Sequence, residues 1–169
     1  MPFALTTGAL FASGDLIAQV GVERKTSDYN PLRTARLGLF GSCVAGPAMV
    51  SWYGLLSRRI VFENRLMALL ARVSLDQLVF APTFIAIFFS ATGFMEGLTP
   101  EAVWDKLKSG YPTALAGNYK LWPAVQLVNF YLVPLHHQAL VVNTIALGWN
   151  TYLSVINQRS TFKENPEST

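Results

Sequence analysis

Two scarcities define this chain of 169 residues: it has one cysteine, Cys43, and only 14% of its residues are charged. A lone cysteine excludes an intrachain disulfide, a Cys-x-x-Cys redox pair and a thiolate metal cluster. Cys43 is then either a small packing residue or one half of an intermolecular redox bridge. The charged fraction is far below the roughly 25% of a soluble domain, and 51% of the chain is hydrophobic. Also missing are a Gly-x-Ser-x-Gly elbow, a His-Glu-x-x-His helix, a Walker loop and any spaced set of metal ligands. The adjacent His136 and His137 cannot both enter one site from a regular helix. Neither an enzyme nor a cofactor or metal is expected. The net charge of +3 is small and scattered. It calls for basic residues near lipid headgroups and predicts no nucleic-acid contact. The amino end carries neither the basic n-region of a secretory signal nor an Arg-rich amphipathic stretch, so targeting is internal or precedes Met1.

Long apolar segments are what the chain has instead. Phe3 to Val20 is just long enough to cross roughly 30 Å of hydrocarbon as a helix. Gly8, Ala12, Asp15 and Gln19 share one face of it, and the cost of a carboxylate at mid-bilayer turns Asp15 toward protein or water. After a polar connection ending in Asn30-Pro31, a second run spans Leu37 to Leu56. Its Gly38, Ser42 and Gly46 repeat every fourth residue, a small-residue pattern that lets helix backbones approach closely. Gly46-Pro47 is expected to kink or interrupt that helix before Trp52-Tyr53, and Arg58 and Arg59 close the span. In the third run Arg65, Arg72, Asp76, Thr83 and Ser90 read along one side, with Gln77 as a further polar position and Pro82 as a bend. Arg72 and Asp76, four apart, are expected to pair, either as a buried structural pair or as an ion site.

Thr99 to Ser109 differs in kind. Thr99 reads as an N-cap, Pro100 as the first helical residue and the rest as a short amphipathic helix on the membrane surface. The stretch Asn118 to Pro134, NYKLWPAVQLVNFYLVP, then places Lys120, Trp122-Pro123, Gln126 and Asn129 inside an apolar run. Trp122, Gln126 and Asn129 form one polar and aromatic face. That face is either a hydrogen-bonded knot between helices or the wall of a solute path. Beyond Val133-Pro134 the last apolar helix repeats His136, Asn143 and Asn150 by sevens, and His137, Thr144 and Thr151 beside them. The two histidines open that helix, where the dipole disfavours the imidazolium, so a pH-sensitive role is expected of them.

The fold class is all-α: a polytopic membrane helix bundle of four to five apolar helices plus one short amphipathic surface helix. One domain covers residues 1–156, with helices expected at about 3–20, 35–57, 65–95, 100–109 (amphipathic), 112–133 and 134–156, and a polar tail at 157–169. Basic residues nearly cancel between the two sides, so orientation is not readable.

Four blocks in order, GDLIAQ, GPAMVSWY, LDQLVFAP and the segment from GNYKLWPAVQ to GWNTYLS, resemble the Mpv-seventeen / peroxisomal membrane protein family of small multi-helix proteins. The similarity runs over nearly the whole chain. It implies a fold of about four spans in the mitochondrial inner membrane, or alternatively the peroxisomal membrane. It also implies a weakly selective channel for small solutes or ions, linked to mitochondrial DNA upkeep and stress tolerance. Two departures stand out. The family's upstream Trp-Tyr segment and Pro are absent before Met1-Pro2, and His136, His137 and Gln138 stand where an Arg commonly follows the Val-Pro pair.

The leading expectation is a path lined by some of Asp15, Gln19, Arg72, Asp76, Gln77, Lys120, Trp122, Gln126, Asn129, His137, Asn143 and Asn150, with helix packing through Gly8, Gly38, Ser42 and Gly46. The alternative is a non-conducting scaffold acting in an oligomer. Expected partners are the bilayer, small solutes or ions, and further copies of the chain.

Overall fold

The computed structural model describes residues 2–25 and 27–162, the side chains at positions 2, 3, 130, 131, 135, 136, 138–140 and 162 excepted. Among the described residues all regular structure is helical, in five rods: α1 (residues 2–22), α2 (Pro31–Arg59), α3 (Arg65–Met95), α4 (Pro100–Leu132) and α5 (Leu135–Phe162). Three segments, Ala4–Val22, Pro31–Arg59 and Arg65–Met95, are long and apolar enough to cross a membrane.

Local chemistry sets the ends. Asn30 caps α2 by accepting from the Arg33 N–H at 3.0 Å, with Pro31 at the first turn. Asn64 caps α3 through the N–H groups of Leu66 and Met67. At the end of α3, Gly97 adopts φ +82°. The Leu98 N–H donates to Gly93 O and the Gly97 N–H to Phe94 O, which closes the helix in a Schellman turn. Thr99 caps α4.

Of the kink or interruption expected at Gly46-Pro47, the interruption is absent, and the helix runs through. Residues Gly41–Ala45 form a π-turn, with the Gly46 N–H reaching back five residues to Gly41 O. The same device, Asp76–Phe80 with the Ala81 N–H on Asp76 O, precedes Pro82. A proline ring collides with the carbonyl four residues back, and a widened turn placed just before it makes room. Each bulge adds a residue to one turn and so rotates the remainder of the helix by roughly 100°. For that reason the expected single side of α3 does not hold: Asp76 is buried, whereas Thr83 is exposed and bonds back to Val79 O.

The separate surface helix expected at 100–109 is also corrected. It is the first third of α4, which continues through Pro112 and Pro123. Val103, Lys106, Gly110, Ala114, Asn118, Val125 and Asn129 recur at spacings of three, four and seven residues, and all are buried. One continuous face docked against α3 and α5 outweighs two missing hydrogen bonds. The tail expected from Asn157 is helical as far as Phe162, with Asn157 and Ser160 buried.

In the bundle α1 lies between α2 and α5, and α3 between α2 and α4, while α4 packs on α5. The backbones of α1 and α2 approach so closely that a Cβ on Gly41 would sit 2.8 Å from Gly8 Cα. One on Gly46 would sit 2.7 Å from Ala4 Cα. Gly8, Gly38, Ser42 and Gly46 therefore lie where α1 and α2 face each other, and Gly41, one turn on from Gly38, shares that face. The centre is aromatic: Phe11, Phe40, Phe84, Phe88 and Phe89 cluster with Leu37, Ile85 and Leu153. The Phe40 and Phe88 rings meet edge-on at 5.4 Å.

Candidate functional site

Three polar clusters surround this apolar centre. The first joins the end of α1 to the start of α2 and the last turns of α5. Asp15, 0% exposed, accepts from Gln19, Thr34 and Ser154. Arg33 Nε lies 2.7 Å from Asp15 Oδ1 as an ion pair, its N–H aimed off the line to the oxygen. The two terminal nitrogens of Arg33 grip Glu23 at 2.9 and 2.8 Å, and one of them also donates to Ser154 Oγ. Gln19 bridges onward to the Asn30 backbone.

The second cluster lies just past the end of α3. Lys106, 0% exposed, donates to Glu96 at 2.6 Å, while Asn157 and Thr161 donate to the same carboxylate. Thr92 donates to Asn157 Oδ1. Burial pulls the Lys106 pKa below the ordinary lysine value, and the Glu96 carboxylate opposes that pull.

The third cluster centres on Asp76, the first residue of the π-turn in α3. Its carboxylate accepts from Trp52 Nε1, Gln77 Nε2 and Gln126 Nε2, each at 3.1 Å, and Gln77 accepts from Asn118 at 2.8 Å. Trp52 is held flat against Phe80 at 5.3 Å. Asp76 and Gln126 are among the residues lining a cleft of about 940 Å³ between the end of α2, the 60–64 connection and the first half of α3. Arg65, Arg72 and Glu63 line its sides together with Tyr53 and Phe62. The Gln126 Oε1 and Asn129 Oδ1 atoms are buried without a hydrogen-bond partner. Groups of three or more residues able to hold a metal are absent among the described residues.

Residues 93–154 match the Mpv17 / PMP22 family. The protein sym-1 of Neurospora crassa is 45% identical over 156 residues, 91% of this chain and 89% of that protein. The mitochondrial inner membrane protein Mpv17 of Homo sapiens is 44% identical over 151 residues, 89% of this chain and 85% of that protein. The Xenopus laevis protein of the same name is 42% identical over the same length. The chain belongs to the Mpv17 / PMP22 family. With helices of spanning length and relatives named for that membrane, it is a mitochondrial inner-membrane protein. No solved structure matches it.

In this Mpv17 / PMP22 chain the polar residues singled out by sequence do not share one lining. Asp15 and Gln19 sit in the first cluster, and Asp76, Gln77 and Gln126 in the third. Asn129 is buried one turn past Gln126, and Asn150 is buried where α5 meets Gly14. Trp122 is half-buried and stands edge-on to Trp149 at 6.3 Å. The expected Arg72 to Asp76 pair is not formed. Arg72 instead donates through Nε and Nη2 to the Ile60 carbonyl, at 3.2 and 2.9 Å, which ties it to the end of α2. Lys120, His137 and Asn143 are exposed on the outside of the bundle and line no shared centre. Among the described residues, α1 and α3 meet the second half of α5 through Gly14 to Asn150, Asp15 to Ser154 and Thr92 to Asn157. The seven-residue stripe is therefore covered at Asn150 and bare at Asn143. His136 lies outside the described side chains. Cys43 is exposed, so it is not a packing residue.

Arg33, Glu23, Lys106 and Glu96 went unrecognised in the sequence because charge near a helix end reads as solvated. A signal was present in the phase. Arg33 precedes the buried Leu37 and Phe40 by four and seven residues, and Lys106 sits between Val103 and Gly110 on one face.

Proposed function

We propose that the chain conducts small solutes or ions across the membrane with little charge selectivity and without catalysis, through the cleft between α2 and α3 rather than along the bundle axis. The observation that carries this reading is the depth of the cleft. Asp76 lies eleven residues along α3 from Arg65, roughly 16 Å at 1.5 Å per residue. That is about half of a ~30 Å hydrocarbon core. The charged residues along it are of both signs, Glu63 and Asp76 against Arg65 and Arg72. Mixed charge of this kind passes ions of either sign poorly discriminated. The bundle axis offers no such route, being filled by phenylalanine. Next to Asp76, the buried Gln77 is bonded to Asn118 and neither residue lines the cleft, so on this reading opening requires that pair to separate.

Planar bilayers with the purified chain test this. Conduction is expected, and Asp76→Asn is expected to shift the ratio of cation to anion permeability toward anions. Conduction with an unchanged ratio would remove Asp76 from the path. No conduction at all would favour a second reading, a scaffold assembled from several copies. That reading has its own support: Asn143 is exposed roughly 12 Å along α5, where a polar side chain facing lipid favours a helix partner from another copy.

A further inference from the structure

We propose that the outer face of α2 is a specific binding site for an anionic phospholipid. A groove of about 520 Å³ runs along this face, lined by Val50, Ser51, Gly54, Leu55, Arg58 and Arg59. Its charge is of one sign. Arg58 and Arg59 are exposed at the end of the helix and have no ion-pair partner among the described residues, and no carboxylate lines the groove. Both arginines line the one groove, and a guanidinium suits a phosphodiester, to which it presents paired donors.

The rest of the groove distinguishes a lipid from a free anion. Val50 and Leu55 are exposed and apolar, and Gly54 between them is a notch with nothing within 4 Å of the space a Cβ would take. From Arg58 back to Val50 the strip runs eight residues, roughly 12 Å into the hydrocarbon. A phosphate at one end and a hydrocarbon strip leading inward from it match a headgroup and the first half of an acyl chain. A second copy of the chain fits worse, because a two-fold contact through this face would bring four arginines together.

The site differs from a diffuse surface charge in requiring both the arginines and the notch. Phosphatidylglycerol is titrated into the purified chain in a neutral detergent, with bound lipid counted by native mass spectrometry and with phosphatidylcholine and inorganic phosphate as parallel ligands. Phosphatidylglycerol is expected to bind more tightly than phosphatidylcholine, and inorganic phosphate is expected not to compete. Removing both charges in Arg58→Gln/Arg59→Gln is expected to weaken phosphatidylglycerol roughly thirtyfold, the loss of two basic contacts to an anionic lipid. Gly54→Leu, which fills the notch and leaves the charge alone, is expected to weaken it as well. Arg24→Gln/Arg159→Gln, which removes the same charge from exposed positions elsewhere, is expected to leave it unchanged. An equal loss in that control, an undiminished affinity in Gly54→Leu, or displacement by inorganic phosphate would each overturn the proposal.

Discussion

Replacing Arg33 with glutamine tests whether the buried charges hold the bundle together. The Arg33 side chain is 8% exposed and contacts Asp15 and Glu23, whose side chains are 0% and 14% exposed. It also donates to Ser154 on α5, so one side chain pins α1, α2 and α5. Taking away one member of a buried pair costs about 3 to 5 kcal/mol, because the partner charge stays buried. The low end applies here: Asp15 keeps three donors, from Gln19, Thr34 and Ser154, and Glu23 is near the surface. A loss of about 3 kcal/mol in a chain of this length lowers Tm by about 6 to 12 °C. The assay is a thermal melt of the purified chain in detergent, followed by helical circular dichroism. Arg59→Gln, at an exposed position, serves as the reference and is expected to stay within about 0.5 kcal/mol. The double variant Asp15→Asn/Arg33→Gln is expected to lose less than the sum of its parts, since it leaves no unpaired charge on Asp15. If Arg33→Gln melts with Arg59→Gln, the cluster is ornamental and the reasoning fails.

Close helix packing and the second buried pair give further tests. Gly41→Ala sets a methyl 2.8 Å from Gly8 Cα and 3.0 Å from Thr7 O, both backbone atoms. The helices must part, at a cost of about 1 to 3 kcal/mol. Gly54→Ala meets nothing within 4 Å and is expected to stabilise by about 0.5 to 1 kcal/mol through helix propensity alone. Equal melting temperatures for the two would show that the α1 to α2 contact is looser than described. Lys106→Met strands the Glu96 carboxylate beside Asn157 and Thr161 and is expected to cost about 3 kcal/mol. Glu96→Gln/Lys106→Met should recover more than half of that in the same melt, and no recovery would mean that the ammonium serves packing and not charge.

Much of the fold was legible because a bilayer forces a simple grammar. Apolar length marks helices, Asn-Pro and Thr-Pro mark their starts, and spaced glycine marks close contact between two of them. The misleading signals were local rather than global. Pro47 looked like a kink or a break and Pro82 like a bend, yet a π-turn precedes each and the helix continues, and each turn moves the residues after it to a new face. Pro112 looked like a boundary, yet a continuous buried face carries α4 through it. A proline states only that a hydrogen bond is missing. Whether the chain bends, bulges or continues depends on what neighbouring helices supply.

The candidate site divides in the same way. That Asp15, Asp76, Gln126 and Asn129 turn inward is dictated by residue chemistry, since a polar group facing lipid has nothing to bond. Which partner each one finds is not in the pattern. Arg72 stands one turn from Asp76 yet bonds the end of α2, and Arg33, 18 residues from Asp15 in sequence, becomes its counter-ion. An all-helical membrane protein with buried polar faces is already implied by residue order, because composition and period act locally. The gathering of those faces into three separate clusters around a closed aromatic centre, with the open cleft at the side, comes from packing alone. A charge seeks the nearest complement in space, and nearness is settled by how closely glycine lets α1 and α2 approach and by how the helices turn back on one another, a global arrangement that no short stretch encodes.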